Sequence, residues 1–269
     1  DADTGVVDPA TPSADITVSL GYPKRGHFCG SGVDRTGLLE VVDIGIPSGF
    51  DEDVSLRLMT KSAAQGFLPK RPLRSHKGSF GKVMVVGGSK NYVGAVSLAG
   101  LAAARVGAGL VTLAVPQSIQ CMVAPNTIEP TYIPLPESLS GTVMPLESAE
   151  LILGNLLGYS ALLVGCGLGA SEETKSMITK LLFSDDLMLP VIVDADGLNT
   201  LSALPEWWKC FSNPAILTPH LGEMARLTGQ SINYVENNRI PLSIEVAVNW
   251  NKVIVLKGAH TLVATPEGT

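Results

Sequence analysis

Charge, aromatic rings and paired cysteines are all scarce in this chain. Only 16% of its 269 residues are charged and 5% are aromatic. With 19 Lys+Arg against 25 Asp+Glu, the net charge of -6 argues against a nucleic-acid groove or an anionic membrane surface as the main partner, since both call for clustered basic residues. No apolar run reaches the roughly 18 residues of a membrane span, because Gly, Pro or charge interrupts each one. The opening Asp1-Ala2-Asp3-Thr4-Gly5 has no initiator Met, basic stretch or apolar segment, so it reads as a chain entered in mid-domain rather than a signal peptide. Cys29, Cys121, Cys166 and Cys210 form no Cys-x-x-Cys pair and have no His at metal-ligand spacing. Reduced, mostly structural thiols in the cytoplasm are expected, and nothing demands a disulfide. The Gly-x-Ser-x-Gly nucleophile elbow and the His-x-x-x-His zinc pattern are also missing.

What is present is apolar. Hydrophobic residues make up 45% of the chain, enough for one large core or one core plus part of another. Residues 1–47 are rich in Gly, Pro and Asp and carry two strand-like stretches, at 16–20 and 38–42. A polar, Pro-bearing connector follows. From Gly81 the pattern becomes regular: a strand at 82–86, a helix from Ala95 to Val106 closed by Gly107 or Gly109, a strand at 110–114, a helix at 147–157, and a strand at 161–164. Ser171 stands at an N-cap position ahead of Glu172 and Glu173. Three more apolar runs each stop at reactive or glycine residues. These are 191–193 at Asp194-Ala195-Asp196-Gly197, 215–217 at Thr218-Pro219-His220-Leu221-Gly222-Glu223, and 253–256 at Lys257-Gly258-Ala259-His260-Thr261. Continuous Val/Ile/Leu strands alternating with helical segments predict a mainly parallel sheet covered on both faces, with ligands collecting beyond the strands' carboxyl ends.

Each motif has a plain alternative. Gly87-Gly88-Ser89 before Tyr92-Val93-Gly94-Ala95 fits a helix N-terminus facing phosphate, but alone it is better read as an ordinary glycine turn. Gly165-Cys166-Gly167-Leu168-Gly169 shares that ambiguity and is no Walker motif, because no Gly-Lys-Ser/Thr follows. Asp194 and Asp196 fit a general base or a metal-binding pair. Asp196 taken alone is better read as a helix cap. Asp194 ends an apolar strand, where burying a charge without a partner is costly, so a site-facing or hydrogen-bonded role is expected. His220 either binds ligand or satisfies backbone groups. Lys257 either reaches phosphate oxygens or snorkels to solvent. The convergence of all five loops at one sheet end is what favours a site.

The combined set resembles the ribokinase-like ADP/ATP-dependent NAD(P)H-hydrate dehydratases. The matching residues run from His76-Lys77-Gly78-x-x-Gly81-Lys82 through Gly87-Gly88-Ser89, Tyr92-x-Gly94-Ala95 and Gly107-Ala108-Gly109-Leu110-Val111. They continue with Val193-Asp194-Ala195-Asp196-Gly197-Leu198-Asn199, Leu217-Thr218-Pro219-His220-x-Gly222-Glu223 and Leu256-Lys257-Gly258-Ala259. Upstream, Ala14-Asp15-Ile16-Thr17-Val18, Pro23-Lys24-x-Gly26 and Asp43-Ile44-Gly45-Ile46-Pro47 resemble the closing part of an NAD(P)H-hydrate epimerase domain. The resemblance implies residues 1–50 as that remnant, 51–75 as a linker and 76–269 as the dehydratase domain, incomplete at its C-terminus.

It also implies a lyase that uses ADP or ATP, with Mg2+, to remove water from the hydrated S-epimer of NADH or NADPH. K+ would belong to the epimerase half. Ala95, Gly167 and His220 are then expected to contact the hydrate, with Asp194 on the same wall. Lys257, Gly258, Ala259, His260 and Thr261 are expected to hold the nucleotide. Cys166 stands where the family carries a proline between the glycines. The family's catalytic base sits in a Gly-x-Gly-Asp segment. None occurs here, so the base is expected beyond Thr269 and little turnover is expected from these residues alone. The expected partners are the small-molecule hydrate and further copies of the chain, without nucleic acid or membrane. A ribokinase-like small-molecule kinase and a non-catalytic nucleotide-binding module are the rival readings.

Overall fold

Apolar runs of three to seven residues separated by helices build one large sheet. In the computed structural model, which describes residues 1–269 apart from 48, 51, 53 and 140, the strands are β1 (Ile16–Leu20), β2 (Leu38–Val42), β3 (Lys82–Val86), β4 (Leu110–Pro116), β5 (Thr131–Leu135), β6 (Ala161–Val164), β7 (Val191–Val193), β8 (Ala215–Leu217), β9 (Val253–Leu256) and β10 (Leu262–Ala264). Two of the omitted residues, 51 and 53, fall in the predicted linker. The eight strands from β3 onward take the order β10-β9-β8-β7-β6-β3-β4-β5, all parallel except the β9–β10 hairpin. The chain runs outward from β3 through β4 to β5, then returns to place β6 on the other side of β3. That reversal falls between β3 and β6, and open α/β sheets receive ligands beyond the carboxyl ends of strands at such a point.

Side chains alternate across the sheet as the pleat requires. On β3, Met84 and Val86 join the larger core, while Val85 faces the other way into a smaller one. The larger core takes Ile152, Met177, Ile178, Leu181, Leu198, Met224 and Ala247 from the helices Pro145–Gly154, Glu172–Leu182, Asp196–Ser202, Leu221–Thr228 and Arg239–Trp250. The smaller core is made with Val96 of the helix Val93–Val106 and covers mainly β3 and β4. Helices thus lie on both faces, but unequally. On β8, Leu217 is fully buried whereas Ile216, on the thinly covered face, is 37% exposed.

The local signals act as expected. The helix Val93–Val106 stops where Gly107 adopts φ +108 and donates its N–H to the carbonyls of Ala103 and Ala104, a left-handed cap that a β-carbon would strain. Ser171 caps Glu172–Leu182 by accepting from the Thr174 amide at 3.1 Å. The connector is not wholly irregular: Thr60 accepts from the Ala63 amide and starts a short helix, Lys61–Phe67. Upstream, β1 and β2 pair in parallel as their own two-stranded sheet, Ile16 against Leu38 through Leu20 against Val42. Ile16, Val18, Leu20 and Leu38 stay more than half exposed, so this small sheet has no closed core. Among the described residues, no helix is long and apolar enough to cross a membrane.

Candidate functional site

The parallel register brings five loops to one end of the sheet. Val86 lies beside Val164, Val164 beside Val193, Val193 beside Leu217 and Leu217 beside Ile254, so β3, β6, β7, β8 and β9 open into neighbouring loops. The Lys257 amide, just past β9, donates to the Pro219 carbonyl at 2.8 Å and ties the last two loops together.

Asp194 is the centre. Its Oδ1 accepts hydrogen bonds from Lys257 Nζ and Thr218 Oγ1, each at 2.7 Å, and its Oδ2 faces the Cys166 thiol at 3.7 Å. Burial pushes the Asp194 carboxyl up, but the Lys257 and Thr218 hydrogen bonds and the Lys257 charge outweigh it and hold the group below the usual carboxylate value. The same arrangement acts oppositely on Cys166. Burial first, then the Asp194 charge and hydrogen bond, push its thiol up to about 12, so it remains a neutral donor. Asp194 is therefore an ionised carboxylate that meets Lys257, Thr218 and Cys166 as donors, the hydrogen-bonded outcome expected for it.

Lys257 extends the network. Its ammonium also lies 3.8 Å from Glu223 Oε2, and the Glu223 side chain is only 6% exposed. Glu223 accepts the His220 amide at 2.8 Å, while His220 Nδ1 accepts the amides of Gly222 and Glu223 at 2.9 and 3.3 Å. This reciprocal capping box starts the helix Leu221–Thr228. Because Nδ1 is an acceptor, the neutral ring carries its proton on Nε2, 3.4 Å from Glu223 Oε1. His220 thus satisfies backbone groups with one nitrogen and leaves a half-exposed ring at the site.

Backbone shape forces the remaining contacts. Gly165 has φ +123, and a β-carbon there would lie 1.8 Å from the Asp194 carbonyl oxygen. Gly167 has φ +68, and its β-carbon would meet those of Tyr92 and Ala95 at 2.8 and 2.9 Å, so Gly167 and Ala95 are direct neighbours. The Gly88 amide donates to the Cys166 carbonyl at 2.8 Å, joining the two glycine loops. Ala195, at φ +47, holds a conformation that L-residues rarely adopt, between the carboxylates of Asp194 and Asp196.

One local expectation fails. Asp196 does not cap the helix Asp196–Ser202; the cap position is Ala195, which makes no side-chain cap bond. Asp196 occupies the first helical turn, where the dipole favours it, and its Oδ2 accepts the Gly169 amide at 2.8 Å. The competing donor came from a loop 27 residues away, which no local pattern announces. Among the described residues, no group of three or more His, Cys, Asp or Glu is placed to hold a metal ion.

The predicted residues accordingly form a chain: Ala95 touches Gly167, Cys166 links that loop to Asp194, Asp194 pairs with Lys257, and Glu223 connects Lys257 to His220. Gly258, Ala259, His260 and Thr261 continue from Lys257 as a loop whose four residues are all exposed. The His260 ring packs edge-on against Phe28, centroids 5.3 Å apart, and the His260 carbonyl accepts Arg239 Nη2 at 2.7 Å. Thr218, Glu223, Arg239 and Phe28 were given no site role by sequence. The His-x-x-Glu spacing of a capping box was a usable signal for Glu223. Arg239 and Phe28 carried none, being 18 or more residues from the loop they touch.

The chain is similar to known proteins. The family model described as NAD(P)H-hydrate dehydratase matches residues 83–269. The chain is 37% identical over 270 residues to the bifunctional NAD(P)H-hydrate repair enzyme Nnr of Moorella thermoacetica, covering 100% of this chain and 50% of that protein. It is 38% identical to the protein of the same name from Thermofilum pendens, covering 99% and 50%. The chain thus spans about half the length of these curated relatives. Among solved structures it resembles the ADP/ATP-dependent NAD(P)H-hydrate dehydratase of Bacillus subtilis, co-crystallised with ATP and Mg2+, at 30% identity and a TM-score of 0.64, over 80% of this chain and 71% of that one. A ribokinase-like superfamily protein of Enterococcus faecalis, 22% identical with a TM-score of 0.64 over 77% and 68% of the two chains, shares the fold. With the family model matching well over half its length, on strands that end in the residues just described, this chain belongs to the NAD(P)H-hydrate dehydratase family.

Proposed function

We propose that this chain supplies the dehydratase part of a bifunctional repair enzyme that returns hydrated NADH or NADPH to the reduced cofactor at the expense of ADP or ATP. The observation that carries the reading is the Asp194–Lys257–Glu223 network, which joins the residues expected at the hydrate to the loop expected at the nucleotide. On this reading, Ala95 and Gly167 form a close backbone wall for the hydrated ring. His220 presents its Nε2–H from a fixed tautomer, and Asp194 stays ionised to hold Lys257. Lys257, Gly258, Ala259, His260 and Thr261 embrace the nucleotide. The nucleotide supplies the phosphoryl group that makes the C6 hydroxyl a good leaving group. Mg2+ would come with its phosphates and keep several waters, as its reluctance to dehydrate favours.

Residues 1–50 are proposed as the end of an epimerase domain, 51–75 as a linker and 76–269 as the dehydratase domain. Support comes from relatives twice as long, named bifunctional, that align along almost the whole chain. We propose the cytoplasm as its setting and a homo-oligomer as its form.

The test is conversion of the S-hydrate to NADH by the full-length gene product with ADP or ATP, followed by absorbance and product analysis. Nucleotide-dependent recovery of NADH is the expected result. A stable phosphorylated product would indicate a kinase instead, and nucleotide binding without turnover would indicate a binding module.

A further inference from the structure

The loop expected to hold the nucleotide takes its restraints from outside the cluster at Asp194. Arg239, the first residue of the helix Arg239–Trp250, donates from Nη2 to the His260 carbonyl at 2.7 Å. The same guanidinium lies under Gly258, where a β-carbon would come within 2.5 Å of Nη2, so this glycine lets the loop lie flat against the arginine. Arg239 Nε is buried and has no hydrogen-bond partner, and no ion pair neutralises the guanidinium among the described residues. A second arginine gathers nearby. The Cys29 thiol, pushed up by burial, is pulled back by the charges of both Arg239 and Arg25. From the same segment the Phe28 ring meets the His260 ring edge-on, interplanar angle 89°.

A charged group with one buried N–H unsatisfied is expensive unless its placement serves something else. Here it fixes the carbonyl of one loop residue and the backbone of another, on a segment whose ordering would otherwise fall on the ligand. We propose that Arg239 is a positioning residue for the nucleotide loop, and that Phe28 makes the upstream segment part of the nucleotide site by steadying His260. The proposal rests on the reading that Lys257–Thr261 holds ADP or ATP. It adds that nucleotide binding and the upstream segment are energetically coupled, each favouring the other's docked state.

The experiment measures, in the full-length protein, the ADP dissociation constant by calorimetry, together with the KM values for nucleotide and hydrate and kcat. Arg239→Met should weaken nucleotide binding about tenfold, the effect of losing one charge-assisted hydrogen bond. Phe28→Ala should weaken it about threefold, in line with loss of one aromatic pair. In both, the hydrate KM and kcat should stay within about twofold, the split expected when only uniform nucleotide binding is removed. Arg239→Lys, which keeps a donor and drops the buried Nε–H, should recover most of the loss.

Wild-type ADP affinity in Arg239→Met, or an equal rise in the hydrate KM, would overturn the proposal and leave Arg239 a structural residue. If Arg239→Met does not fold, Phe28→Ala decides, and an unchanged ADP affinity there overturns it. ADP binding is read without turnover, so a wild-type protein that binds ADP but converts no hydrate sinks the dehydratase reading alone. The variants then still support or overturn the positioning role. A wild-type protein that binds neither ADP nor ATP overturns both.

Discussion

Asp194 is held by Lys257, Thr218 and Cys166, all at the ends of neighbouring strands. The loop from Gly258 to Thr261, which follows Lys257 directly, is held instead by Arg239 and Phe28 from elsewhere in the chain. The first wall is ordered by strands that must pair for the sheet to exist, so its shape comes with folding. The second has an exposed tip and borrows its order from a helix start and an upstream segment. A substitution in the first should therefore register mainly as stability, and one around the second mainly as affinity.

Gly165→Ala should have the largest effect. The residue sits at φ +123, and a β-carbon would stand 1.8 Å from the Asp194 carbonyl oxygen, with the Gly197 amide at 2.7 Å. Neither neighbour can yield, because the Asp194 amide is bonded to the Val164 carbonyl and the Gly197 amide to that of Asp194. Strain plus clash should cost about 3 kcal/mol or more, read from a urea melt. A loss below about 1 kcal/mol would mean that the wall adjusts as freely as the loop, which would break the contrast.

Asp194→Asn comes next. It removes the charge from an accepting oxygen shared by Lys257 and Thr218, and should cost about 2 kcal/mol, at the low end for charged hydrogen bonds because Lys257 is 41% exposed to screening water. Since the folded carboxyl titrates below its ordinary value of 3.8, its contribution is complete above that value and disappears as pH falls through the lower folded one. The variant should lose that part of the acid limb in a stability-versus-pH curve, and an unchanged limb would show that the pair contributes nothing.

The same variant sharpens the account of Cys166. In the wild type, Cys121 and Cys210 are exposed and should alkylate first, whereas Cys166, raised to about 12, should resist iodoacetamide until strongly alkaline pH. Burial is the larger cause and Asp194 the second, so Asp194→Asn should bring labelling to lower pH without making Cys166 an ordinary thiol. Mass spectrometry of labelled peptides reads the difference.

The contrast between the walls is also a contrast in legibility. Strands at 161–164, 191–193, 215–217 and 253–256 could be read to the residue, because buried parallel strands are continuous apolar runs bounded by glycine or charge. The reactive positions after them followed from the same rule. β5 was missed because Thr131, Tyr132 and Pro134 break that pattern at a sheet edge, where proline is tolerated. β10 (Leu262–Ala264) was also missed. Asp196 was misjudged, and Arg239 and Phe28 overlooked, for one reason: their decisive partners lie far along the chain.

The smallest effect tests that last point. The rings of Phe28 and His260 meet edge-on, with centroids 5.3 Å apart. Phe28 is half-buried, and His260 is exposed. A double-mutant cycle of Phe28→Ala and His260→Ala should therefore give a coupling of about 0.5–1 kcal/mol in unfolding, the range of an edge-to-face pair. If the loop is restrained from outside, that coupling should grow when ADP is bound, because the ligand and the ring contact then order the same four residues. A coupling that stays the same with and without ADP would place Phe28 beside the loop without a share in holding it, and the two walls would then differ in exposure but not in where their order comes from.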